Sequence, residues 1–104
     1  MELKEKVMKY RDLIDYQEGS VVSKTIIAKE SSVTVFAFDK GEGLSEHTAP
    51  FDALIEVVDG EALIIIDSQE YNVSQGEVII MPADKPHSVK ALEKFKMVLV
   101  MIRK

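Results

Sequence analysis

An all-β fold, a sandwich or barrel, is predicted by three features of this 104-residue chain. From Ser20 onward, short runs rich in Val, Ile and Phe recur at regular spacing. Clusters of Gly, Pro, Asp and Ser separate those runs, as turns require. No Pro/Gly/Ser-rich linker, low-complexity tract or internal repeat interrupts the pattern, so residues 1–104 are expected to form a single domain.

Taken in order, Leu3 to Ile14 places Leu3, Val7 and Met8 at helical spacing among Lys and Glu, which predicts a short N-terminal helix within an extension over 1–16. Strands are expected at Val21–Lys29, Val33–Asp39, Leu54–Asp59, Ala62–Ser68, Tyr71–Val73, Val78–Met81, His87–Leu92 and Phe95–Ile102. Asp59-Gly60, set between two apolar runs, is the strongest hairpin signal, because a type I′ turn needs positive φ at both central residues. The runs Ala62–Ile66 and Val78–Met81 are apolar on both faces, whereas a barrel strand normally shows water one face. A second copy of the chain would cover the surplus, so a two-fold homodimer is expected; burial under the N-terminal segment is the competing explanation.

Composition removes several functions. The chain has no Cys, which excludes disulfides, cysteine-ligated metals and cysteine nucleophiles. Eighteen acidic residues against 13 basic ones give a net charge of −5, a poor match to nucleic-acid phosphates. There is no signal-peptide core and no apolar run approaching the roughly 18 residues that suggest a membrane span, so a cytoplasmic location is expected. Ser20, Ser45 and Ser88 lie outside any Gly-x-Ser-x-Gly context, which argues against a serine hydrolase.

The chemistry-bearing residues that remain are the two histidines. His47 lies in the stretch from Gly41 to Gly60, and His87 in the stretch from Gly76 to Ala91. Gly41 precedes His47 by six positions, Gly76 precedes Pro82 by six, and Pro82 precedes His87 by five. These two stretches resemble the paired motifs of the cupin family, in the family's order and with about 15 residues between them. Asp84 replaces an internal Gly of the second motif and Ala91 its terminal Asn; Asp tolerates left-handed turn geometry better than most residues. The resemblance implies a cupin-type double-stranded β-helix, a jelly-roll barrel, with a cavity between its sheets.

It also implies what is missing. Cupin metal sites usually draw two His and a Glu or Gln from the first motif and one His from the second. Here Ala49 and Ala53 stand at two of those four places, leaving His47 and His87. A divalent ion (Zn, Fe, Mn or Ni) would need Asp52, Glu46 or water to complete its shell. Strand parity turns Glu46 away from the cavity, and Asp52 too unless its segment is a loop, as nearby Pro50 suggests. Three uses of the pair stay open: a weakly held metal, a metal-free pocket for a small molecule, or a satisfied core pair without chemistry. Phe51, Met81 and Met97 join the histidines as candidate ligand contacts, although Met commonly just fills gaps in a core. The functions to be weighed are therefore a small-molecule-binding barrel, a metal-dependent dioxygenase or isomerase, a metal-free epimerase using a His base, and a non-catalytic structural or regulatory module.

Overall fold

A computed structural model describes residues 3–102 and consists of two antiparallel sheets facing one another. The strands are β1 (Val21–Ala28), β2 (Ser32–Phe38), β3 (Gly43–His47), β4 (Ala53–Asp59), β5 (Glu61–Ile66), β6 (Gln69–Ser74), β7 (Val78–Met81), β8 (His87–Lys90) and β9 (Phe95–Met101). One sheet has the order β1-β2-β9-β4-β7 and the other β3-β8-β5-β6. The order makes neighbours of strands far apart in sequence, the arrangement expected of a jelly roll.

Period-two alternation decides which side chains fill the space between the sheets. Ala53, Ile55 and Val57 on β4, Ala62, Ile64 and Ile66 on β5, and Phe95 and Met97 on β9 are all buried. Phe38 stacks on Phe95 with ring centroids 4.5 Å apart, and Phe36 stacks on Phe38 at 5.8 Å. Phe38 and Phe95 are fully buried, each contributing about 1.5–3 kcal/mol by leaving water.

The Asp59-Gly60 step is not a hairpin. β4 pairs with β7 and β9, whereas β5 pairs with β6 and β8, so the chain passes from one sheet to the other at this point. Gly60 alone has positive φ there (76°), and a Cβ on it would lie 2.6 Å from the Lys94 carbonyl oxygen and 3.0 Å from Phe95 Cβ. The glycine permits close passage over the start of β9 instead of a type I′ turn. That turn chemistry occurs at Asp67-Ser68, with φ of 51° and 70°, which joins β5 to β6 through the two residues between them.

The N-terminal helix expected over Leu3–Ile14 is also absent among the described residues. Only a single 3-10 turn forms, at Tyr10–Asp12, and Glu5 takes φ of 62°, outside helical space. A helix this short depends on burying an apolar face, and Val7 and Met8 are exposed. Specific contacts hold the segment to the first sheet instead. Lys96 Nζ donates to the Arg11 carbonyl at 2.7 Å, and Tyr16 Oη donates to Asp59 Oδ2 at 2.5 Å. The Lys94 and Lys96 ammonium groups each stand 4.9 Å from the Tyr16 ring centre. Burial first, and then the adjacent Asp59 carboxylate, push the Tyr16 phenol well above its ordinary pKa, so it stays a hydrogen-bond donor.

Candidate functional site

His47 and His87 are directly paired neighbours on β3 and β8. Between Leu44 and His47 the register shifts, so that Leu44 faces Val89 and His47 faces His87. Three steps along β3 thus match two along β8, and the bulge lets both Leu44 and His47 reach the interior although their spacing is odd. Both line the same cavity between the sheets, together with Ala49 and Phe51 from the loop after β3. Ala53 and Ile55 of β4, Met81 of β7, His87 and Val89 of β8, and Met97, Leu99 and Met101 of β9 complete the wall. The cavity measures about 100 Å³, and the two imidazoles are its only lining side chains that form hydrogen bonds readily.

The sequence-based candidates His47, His87, Phe51, Met81 and Met97 are therefore brought together on one wall. Leu44, Ile55, Val89, Leu99 and Met101 join them; Leu99 and Met101 share strand parity with Met97, the signal by which they are found. Asp52 stands apart, for its Oδ1 accepts a hydrogen bond from the Ala83 amide at 2.8 Å. Together with the Asp84 amide bond to the Ala49 carbonyl (2.7 Å), it ties the loop after β3 to the turn before β8. Asp84 occupies that turn with φ of 67°, the left-handed geometry its replacement of Gly requires. Glu46 is exposed in the bulge and outside the cavity wall. Lys85 forms an exposed ion pair with Asp67 at 3.6 Å, a contact of small energetic weight.

Each imidazole is oriented by the backbone two residues upstream. His47 Nδ1 lies 2.8 Å from the Ser45 carbonyl oxygen, and His87 Nδ1 lies 3.1 Å from that of Lys85. A carbonyl can only accept, so both Nδ1 atoms carry hydrogen. The two Nε2 atoms then face one another at 3.1 Å, with the rings edge to face. His87 is 5% exposed, and burial, followed by the neighbouring His47, lowers its pKa below the ordinary 6.5 despite the opposing Lys85 carbonyl.

This donor set does not match a resident metal ion. Two imidazole nitrogens converge, but no group of three or more His, Cys, Asp or Glu able to hold an ion occurs among the described residues. Ala49 and Ala53, which line the same cavity, carry methyl groups and have no donor to offer an ion. Asp52, the carboxylate expected to help, is engaged with the Ala83 amide.

Two antiparallel sheets facing one another around a small pocket define a jelly-roll β-barrel. The family described as "Cupin domain" matches residues 34–103, and the chain belongs to it. Among solved structures, a conserved protein of unknown function from Streptococcus pyogenes is 33% identical with a TM-score of 0.92, the match covering 98% of this chain and 90% of that one. A cupin 2 conserved barrel domain protein from Leptotrichia buccalis is 41% identical (TM-score 0.86), over 89% of this chain and 46% of that one. A cupin superfamily protein from Desulfitobacterium hafniense is 27% identical (TM-score 0.91), over 98% and 94% of the two chains. No protein of curated function matches the sequence. No helix of the described residues is long and apolar enough to cross a membrane.

The lowered pKa of His87 has a definite consequence for stability. Folded, the imidazole binds fewer protons than it does unfolded, so its contribution is complete above the ordinary 6.5 and declines as pH falls through the folded value. The midpoint of thermal unfolding is expected to drop between about pH 7 and pH 5 in the wild type and to drop less in His87→Gln. Parallel melting curves of the two proteins across that range check this; equal slopes would contradict it.

Proposed function

We propose that this cupin is a small-molecule-binding protein whose ligand lodges in the cavity between the sheets, its apolar body against the methionines and its polar end at His47 and His87. The observation that carries the reading is the wall itself: ten apolar residues and two convergent imidazoles around about 100 Å³. Pockets that take small ligands commonly combine an apolar lining with a few placed polar groups. The reading is metal-free, because the pair lacks a third protein donor. It includes no reaction step, and the net charge of −5 sets nucleic acid aside as a partner.

Ligand-observed NMR with a library of small fragments provides the test. Fragments of about four to eight heavy atoms are expected to bind the wild type and to be lost in Ala49→Phe, whose ring would occupy the cavity, with the fold checked by its melting curve. Failure of all such fragments to bind, or equal binding by Ala49→Phe, would overturn the reading.

We further propose that the protein works as a homodimer formed through the outer face of the β1-β2-β9-β4-β7 sheet. Ile80, Leu54, Val100, Val33 and Ile27 are successive cross-strand partners, making one apolar row across all five strands. Val78 and Ile80, on the edge strand β7, are 57% and 60% exposed. An apolar edge of this kind promotes association unless something covers it. Sedimentation velocity is expected to give a dimer for the wild type and a monomer for Ile80→Glu. A monomeric wild type at micromolar concentration would contradict the proposal.

A further inference from the structure

We infer that Ser32 is a second polar contact of the cavity, so that the ligand carries an uncharged oxygen group, a hydroxyl or a carbonyl, at the end facing β2. The inference rests on the small-molecule reading above and names the chemical class of the ligand. Ser32 is 6% exposed, and its Oγ is shielded from solvent with no hydrogen-bond partner among the described residues. Buried hydroxyls are normally paired, and one left unpaired is costly. An alanine would fill the same place without that cost.

The strand register sets this hydroxyl beside the cavity. Ser32, Thr34, Phe36 and Phe38 alternate onto the inner face of β2, where Phe38 belongs to the core and Phe36 packs against it. Ser32 pairs with Met101 of β9, and Met101 pairs in turn with Ala53 of β4. Met101 and Ala53 both line the cavity, so Ser32 lies one strand beyond its wall in the same row. This row is at the histidine end of the barrel. Residues 48–52 run from His47, the end of β3, to Ala53, the start of β4, and residues 82–86 run from Met81 on β7 to His87 on β8.

Met101 is the movable partition between Ser32 and the cavity. It is only partly buried, and its unbranched side chain has three rotatable bonds. When that side chain turns aside, the cavity reaches Ser32 Oγ, which can donate one hydrogen bond and accept others. A lone hydroxyl cannot compensate a buried charge, so the group it matches is an uncharged oxygen. A dry cavity of roughly 150 Å³ admits benzene, so about 100 Å³ suits a body of about four carbons. With its other polar group toward the histidines, the ligand is a short chain oxygenated at both ends, of the diol or hydroxycarbonyl type.

The test compares n-butanol with tetramethylene glycol, the same chain carrying a hydroxyl at each end, by NMR titration of the full chain. In Ser32→Ala, the ratio of glycol affinity to butanol affinity is expected to fall on the order of tenfold, as one buried hydrogen bond provides, while butanol binds as before. Without ligand, Ser32→Ala is expected to melt at a higher temperature than the wild type, because no buried hydroxyl is left unpaired. An unchanged affinity ratio with butanol still bound would overturn the inference and leave the cavity reading intact. An equal or lower melting midpoint in Ser32→Ala would overturn it too, because the hydroxyl would then be satisfied without a ligand. Binding of neither probe to the wild type at tens of millimolar would remove both the inference and the cavity reading.

Discussion

Each histidine gives its Nδ1–H to the backbone carbonyl two residues upstream, at 2.8 Å for His47 and 3.1 Å for His87. These two hydrogen bonds determine the tautomers, and the tautomers determine what the cavity can accept. Their geometry depends on the register of β3 against β8, where a bulge between Leu44 and His47 brings the imidazoles opposite one another. That register is supported in turn by the link between the loop after β3 and the turn before β8, made by Asp52 with Ala83 and Asp84 with Ala49. Asp84 belongs to this chain of dependence as well, because its left-handed φ of 67° allows the turn that delivers His87.

A cupin barrel with four ligating side chains would centre its pocket on a metal ion. In this member, the motif resemblance implies that Ala49 and Ala53 stand in place of two donors, and the two histidines point at each other across 3.1 Å. Removing donors does more than weaken a metal site. It widens the apolar wall and leaves the two imidazoles in contact with each other beside it. The fold alone would not have distinguished these uses, since function resides in the site and not in the fold.

Much of the architecture was legible in the residues. Short apolar runs between turn residues marked eight of the nine strands, with Val78–Met81 matched residue for residue, and motif spacing placed both histidines beside a strand. β3 was not legible, because Gly43, Ser45 and Glu46 carry little apolar signal and the bulge disrupts its parity. The N-terminal segment has helix-forming residues but leaves Val7 and Met8 exposed, and the contacts of Tyr16 with Lys94 and Lys96 hold it in a non-helical path. Asp59-Gly60 misleads for a different reason, since Gly60 is needed for its lack of a side chain above Phe95. The approach of the two imidazoles could not be read from spacing at all. Forty residues separate them, and only the pairing of β3 with β8 brings them into contact.

The account stands most directly on the protonation of the two rings. Long-range ¹⁵N–¹H correlation spectra of the free protein at about pH 8 report which nitrogen of each imidazole carries hydrogen. Hydrogen on Nδ1 of both His47 and His87, with both Nε2 atoms unprotonated, is the expected result. A spectrum showing either ring with hydrogen on Nε2 and none on Nδ1 would contradict the account, because the pair would then already hold a donor of its own.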